Sequence, residues 1–271
     1  MNMDEYIKNY EQYTKKVVYH FRLGCGGIGD FIKFFMYTLT WCIKYKYKCY
    51  YLMNNNLVIE KYIKLKHKQM YIEWKDIQNF RNIGVSDFPH LSDDIFNMVE
   101  PLALFSAYED DFIDINIQDV FEFSDEVLKN SHNLLDTNMS NYMSIHLRLG
   151  DKYLETDKEF IRCKADERKY NESDLFNCIE TNKDKNIIFF CDNNSYKLKI
   201  KNIYNNVIIC KSDIGHTDLY NTTDKQILDT LTELYLIANS EKIYYASVSG
   251  FSFVAAKFKN IPLIKILSDT T

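Results

Sequence analysis

Short apolar runs alternate with segments of helical spacing along most of this chain, and this alternation limits the fold more than any other feature. Residues 186–191 (NIIFFC), 206–210 (NVIIC) and 242–246 (KIYYA) lack the polar alternation of a strand with one wet face. Continuous runs of this kind suit parallel strands covered on both sides. Between and after them, residues 172–182, 194–201, 224–239 and 249–258 read as helices, the first capped by Asn171. In 224–239 the residues Ile227, Leu228, Leu231, Leu234, Tyr235 and Ile237 recur at helical spacing. Residues 142–149 supply an earlier strand and 261–267 a last one.

The first half repeats the theme less cleanly. Residues 17–23 (VVYHFRL) predict a strand and 24–30 (GCGGIGD) a glycine-rich turn. A buried helix follows over 31–48, then a strand over 49–53 (CYYLM). A short helix is expected at 57–66 and a third strand at 70–74. Residues 75–94 are mixed, 95–108 are apolar but broken at Pro101, and 119–135 look helical. Residues 136–141 (DTNMSN) suit a linker. The expected fold class is therefore α/β, with two Rossmann-like domains, 1–138 and 139–271, facing a central cleft.

Composition narrows the function classes. An apolar fraction of 46% supports a sizeable core, and a net charge of −5 gives no basic footprint for nucleic acid. The seven cysteines include no C-x-x-C pair, so zinc and thioredoxin-type sites lack support and reduced, core-packed thiols are expected. Residues 1–16 are polar and charged rather than signal-like, and no stretch nears 18 uninterrupted apolar residues. No membrane span and a cytoplasmic location are the corresponding expectations.

Residues 144–151 (SIHLRLGD) carry the clearest chemistry. Side chains alternate along a strand, so Leu147 and Leu149 share one face and His146 and Arg148 the other. Gly150 permits a sharp exit, with Asp151 just outside it. Arg148 can pair with a nearby carboxylate, or its planar guanidinium can grip phosphate oxygens in pairs. The charged loop 150–170 is long enough to expect a role beyond connection. Ligands in parallel sheets sit at the carboxyl ends of strands, where His146, Arg148, Asp151, Asp192 and Ser249 all fall.

Two other stretches matter. Gly24, Gly26 and Gly29 spell G-x-G-x-x-G between a strand and a helix, a dinucleotide pattern. That reading also needs an acid at the end of the second strand, where residues 52–56 are LMNNN and the first acid is Glu60. An NAD(P)-linked enzyme is thereby disfavoured, while close backbone approach to a sugar or anion is retained. Asp30 begins the next helix, either stabilising its dipole or acting as a base. In the second stretch, 246–256 (ASVSGFSFVAA), Ser249 and Ser252 can place hydroxyls on a phosphate, or simply cap and pack. No D-x-D pair exists to hold a metal on a nucleotide sugar, so no metal is expected; His216 and Asp218 in GHTD read as a solvated loop.

Taken together, GCGGIGD, HLRLGD, FFCDN and SVSGFSFVAAKF resemble, in order and spacing, the fucosyltransferase superfamily of α1,2-, α1,6- and protein O-fucosyltransferases. The resemblance spans most of the chain. It implies a GT-B-like fold, a GDP-sugar donor, inversion at the anomeric carbon, no metal requirement and a glycan acceptor. It also implies that His146 and Arg148 contact the donor, with Arg148 on the β-phosphate. Asp192 would lie near the base or ribose; Ser249, Phe251 and Ser252 would line the pyrophosphate pocket. Gly26, Gly27 and Gly29 would allow close approach. Apart from the resemblance, transfer calls for a base to take the acceptor hydroxyl's proton, and Asp30 and Asp151 are the candidates, with Asp30 slightly ahead. The chain departs from the family in Asp30 for the usual Asn, in Cys191-Asp192-Asn193, and in the single arginine of HLRLGD. The alternative is a non-catalytic nucleotide-sugar binder of the same fold.

Overall fold

The computed structural model describes residues 2–53, 57–104, 115–135, 141–155 and 163–267. The chain forms two compact units, 1–122 and 123–271, each built on a five-stranded parallel sheet.

In the first unit the strands are β1 (Lys16–Tyr19), β2 (Lys48–Leu52), β3 (Tyr71–Ile72), β4 (Phe80–Asn82) and β5 (Phe96–Val99). Their order is β3-β2-β1-β5-β4. The chain thus builds outward from β1 on one side, then returns to the other, so strand order reverses between β1 and β5. Val17 and Tyr19 of β1 face helix α2 (Ile28–Tyr45), where Tyr19 meets Phe35 edge-on at 5.6 Å and bonds the Phe31 carbonyl at 3.0 Å. The other face carries Val18, Leu52, Ile72 and Met98, covered by Ile77 and Phe96.

The predicted elements of this unit shift for local reasons. Helix α2 starts at Ile28, after an extended Gly27, and ends where Lys46 turns left-handed at φ 58°. Lys48, expected in the helix, therefore opens β2. The inner strand β5 is hidden in the apolar stretch 95–108 because Asn97 interrupts its pattern. Asn97 is fully buried, yet its amide donates to the Lys16 carbonyl at 3.0 Å and its oxygen accepts from Arg81 Nε at 2.9 Å. A satisfied buried amide is tolerated in a sheet.

In the second unit β6 (Met143–Leu147), β7 (Ile187–Cys191), β8 (Val207–Ile209), β9 (Ile243–Tyr245) and β10 (Leu263–Lys265) run in the order β8-β7-β6-β9-β10. Strand order reverses here between β6 and β9. Helices α3 (Asp125–Leu134), α4 (Glu172–Thr181), α5 (Asn194–Ile203), α6 (Asp224–Ala238) and α7 (Gly250–Lys259) accompany the sheet, the last four close to the expected spans. Asn171 caps α4, its side chain accepting from Ser173 N–H at 3.0 Å, and Thr223 with Gln226 forms a capping box on α6.

The expected helix 119–135 is instead a single turn, an extended stretch (Phe121–Phe123), and α3 after Ser124. Phe123 stacks on Phe258 at 5.0 Å, which outweighs its helical spacing. The units divide earlier in the chain than the expected 138/139. The reason is α3, which packs on α6 and whose Asn130 amide donates to Asp229 Oδ1 at 2.9 Å. The expected linker 136–141 lies, apart from Asn141, outside the described residues.

Helix α1 (Met3–Asn9) is tied to β2 through one hydroxyl. Fully buried Tyr6 donates to the Tyr47 carbonyl at 2.6 Å and accepts from Cys49 N–H at 3.0 Å. Removing it strands two backbone groups, so Tyr6→Phe is expected to lower urea-unfolding stability by about 1–3 kcal/mol. A loss below about 0.3 kcal/mol would show that the two groups find other partners.

Candidate functional site

The site grows from the carboxyl end of β6. Three neighbouring strands end side by side there, with His146 in register with Phe190 and Tyr245. The segments that leave β6, β7 and β9 carry Arg148, Asp192 and Ser247–Ser249 respectively. Strand order reverses at this place, where a parallel sheet opens a crevice for ligands.

Arg148 is anchored along its whole length. Its backbone N–H donates to Ser247 Oγ at 2.9 Å, and that hydroxyl donates to the Arg148 carbonyl at 2.7 Å. Its guanidinium bonds Asp151, lies 3.2 Å from Asp192 Oδ2 through Nε, and stands 3.8 Å from Asp166 Oδ2. Asp192 also accepts from the Leu149 and Gly150 amides at 2.7 and 3.0 Å. Asp151 is 2% exposed and accepts from Cys163 N–H at 3.2 Å. A buried carboxylate requires such partners. Asp166 in turn is paired with Arg168 Nε at 2.8 Å. These contacts are those of the carboxylate-paired reading of Arg148, and they fix the guanidinium in one orientation.

Gly150 makes the turn possible. Its φ of 103° with ψ of 166° is a conformation nearly restricted to glycine. A Cβ there would stand 2.5 Å from the Asp166 carbonyl oxygen.

His146 lies under the site. Its Nδ1 is hydrogen-bonded to Ser252 Oγ at 2.8 Å, and its ring packs against Phe251 at 5.8 Å. Burial, then the charges of Arg148 and Lys197, push its pKa down to about 3, so the ring is neutral at pH 7. Lys197 is itself fully buried and satisfied by Glu233 at 2.7 Å and Ser212 at 2.8 Å. Ser249 caps α7, its Oγ accepting from Phe251 N–H at 3.2 Å.

The second unit thus brings together His146, Arg148, Asp151, Asp192, Ser249, Phe251 and Ser252. In the first unit, Gly26, Gly27, Gly29 and Asp30 form a cluster of their own. Gly24 and Gly26 take φ values of 92° and 120°, and a Cβ on Gly26 would meet the Asp30 side chain at 2.4 Å. Asp30 lies in the first turn of α2, with Oδ1 3.2 Å from Lys33 Nζ.

Sequence reasoning missed Asp166 and Ser247. Asp166 sits in the charged loop that the sequence marks, but its partner lies across the loop rather than along it. Ser247 lies in the serine-rich stretch, where its neighbour Ser249 is the helix cap. The GHTD loop is also less solvated than expected, for Asp218 is buried and His216 Nε2 stands 3.8 Å from Asp151 Oδ1.

No family model and no curated protein matches this chain in sequence. Its fold does match solved structures. A NodZ α-1,6-fucosyltransferase soaked with GDP-fucose aligns over 93% of this chain and 94% of its own, at 12% identity and a TM-score of 0.57. The NodZ fucosyltransferase from Bradyrhizobium aligns over 94% and 97%, at 11% identity and a TM-score of 0.57. A mutant Arabidopsis thaliana FUT1 in complex with GDP aligns over 97% of this chain and 74% of its own, at 11% identity and a TM-score of 0.56. This chain therefore has the mixed α/β fold shared by these fucosyltransferases.

Two predictions test the geometry. Gly150→Ala combines a strained backbone with a collision and is expected to cost about 1–3 kcal/mol in chemical unfolding; an unchanged midpoint would mean the turn relaxes freely. His146 takes up a proton on unfolding below about pH 6.5 but resists it when folded until about pH 3. Stability therefore falls as pH drops through that window. His146→Gln should flatten the fall relative to the unmodified protein, and parallel stability–pH curves would contradict the assignment.

Proposed function

We propose that this chain is a glycosyltransferase that moves a deoxysugar, fucose from GDP-fucose, to a glycan hydroxyl. The observation that carries the reading is Arg148, held by Asp151 and Asp192 at the strand-order reversal of the second unit. The fold it shares with fucosyltransferase structures, two of them bearing GDP or GDP-fucose, supports the choice of donor.

The chemistry follows from charge. As the glycosidic bond to the nucleotide breaks, the sugar becomes oxocarbenium-like and the leaving diphosphate gains negative charge. A guanidinium already fixed in place stabilises that charge without reorganising, which lowers the barrier. Ser249, Phe251 and Ser252 at the start of α7 line the diphosphate in this reading, and neutral His146 supports them from below. Attack from the face opposite the nucleotide inverts the anomeric carbon, and cationic side chains replace a metal.

Asp192 and Asp151 act here chiefly through Arg148, because their oxygens are engaged with its guanidinium and with backbone amides. Asp30 is the remaining candidate for the base that takes the acceptor proton. Seven free cysteines, five of them buried, fit a reducing compartment such as the cytoplasm. Among the described residues no helix is long and apolar enough to cross a membrane.

The direct test is GDP release from GDP-fucose, with and without neutral oligosaccharides and in the presence of EDTA. Turnover is expected to persist in EDTA. Arg148→Lys is expected to lower it about 100-fold or more, as for loss of a preorganised oxyanion donor. Asp30→Asn should cut transfer to sugar by about 100-fold or more, the usual worth of a general base. GDP binding without any turnover would favour the non-catalytic alternative, and full turnover in Asp30→Asn would remove Asp30 from the base role.

A further inference from the structure

The first unit has its own strand-order reversal, between β1 and β5, and its carboxyl ends carry groups that the donor reading leaves unused. Alternation puts Val18 and His20 on one face of β1, and Met98 and Glu100 on the same face of the neighbouring β5. His20 and Glu100 therefore emerge together at the reversal. His20 Nδ1 is buried and stands 3.5 Å from Glu100 Oε1 without forming a hydrogen bond. Arg22 holds the other Glu100 oxygen at 2.8 Å.

The chain between β3 and β4 crosses this face, with half-buried Ile77 packed against it. On either side of Ile77 stand two large aromatic residues that are not buried. Trp74 is 47% exposed and Phe80 48% exposed. They are not scattered. Trp74 meets His20 edge-to-face at 5.3 Å, and Phe80 meets Trp74 at 5.8 Å. The result is an aromatic surface beside a polar triad of His20, Arg22 and Glu100.

An exposed aromatic pair beside polar groups at a sheet's ligand end has a specific chemical complement. The face of an aromatic ring is electron-rich. The axial C–H bonds of a pyranose carry partial positive charge and present a flat apolar face of matching size. The hydroxyls at the rim of the same sugar need acceptors and donors, which Glu100 and Arg22 supply. The cations beside the pair are already matched, Arg22 by Glu100 and Lys75 by Glu73, so the surface offers no excess charge to select a strongly anionic ligand.

We infer that the Trp74–Phe80 surface binds a neutral pyranose residue of the acceptor glycan, with Glu100 and Arg22 bonding its hydroxyls. The word acceptor rests on the glycosyltransferase reading; the saccharide binding rests on this surface alone.

The chain has two tryptophans, and the other, Trp41, packs on Phe88 at 5.1 Å in α2. In Trp41→Phe, emission therefore reports Trp74 directly. The probes are neutral oligosaccharides ending in galactose, glucose or N-acetylglucosamine, each titrated to millimolar concentration. At least one is expected to give a saturable change in Trp74 emission. Phe80→Ala should weaken that binding 10-fold or more, Phe80→Tyr should retain it, and Glu100→Gln should weaken it without moving the melting temperature. No saturable response to any of the three, or equal affinity in Phe80→Ala and Glu100→Gln, would overturn the inference. The GDP-induced thermal shift, read on the same samples, separates the two claims. A GDP shift without a saccharide response removes this subsite alone. A saccharide response without a GDP shift keeps the subsite and removes the transferase reading.

Discussion

A buried carboxylate next to a turn needs a cation, and the pairing of Asp151 with Arg148 sets the rest of the second unit's site. Asp151 is almost wholly buried, and the Arg148 guanidinium and the Cys163 amide satisfy its oxygens. Asp192 completes the clamp and at the same time holds two amides of the turn. The Gly150 backbone conformation and the Ser247 bridge to Arg148 follow from the same requirement: the chain must fold tightly enough to bring those groups within reach. The guanidinium is thus placed before any ligand arrives. That is the condition under which a charged group accelerates a reaction rather than merely binding its substrate.

The two units use one architectural rule for different chemistry. Each sheet is parallel, each reverses its strand order beside its first strand, and each puts polar residues at the carboxyl ends there. In the second unit those residues are Arg148, Asp192 and the serines around α7, a set suited to a diphosphate. In the first they are His20 and Glu100, with a glycine-rich turn and an aromatic surface nearby, a set suited to a neutral polyhydroxylated partner.

Where strands were continuous apolar runs, the sequence located them within a residue or two, as for β7 and β9. Where a polar residue sat inside a strand, it did not: Asn97 hides β5 because its amide is satisfied by Lys16 and Arg81, partners remote in the chain. Phe121–Phe123 has helical spacing but is extended, because the stack of Phe123 on Phe258 is a tertiary effect invisible to local pattern. The site shows the same divide. His146, Arg148 and Asp151 could be read from one strand and its exit, and Ser249 from helix-start chemistry. The clamp itself could not, because Asp166, Asp192 and Ser247 reach Arg148 from three separate segments. Trp74 and Phe80 drew no notice, since an exposed aromatic is recognisable only once its neighbours are known.

The central claim is that Arg148 holds the diphosphate of a guanine nucleotide. It is tested most directly by thermal shift with GDP, UDP, dTDP, ADP and NAD, each with and without EDTA. A ligand that binds only the folded state raises its melting temperature. The account predicts stabilisation by GDP alone, unchanged by EDTA and abolished in Arg148→Ala. Stabilisation by NAD alone, or a GDP shift that Arg148→Ala leaves intact, would contradict it.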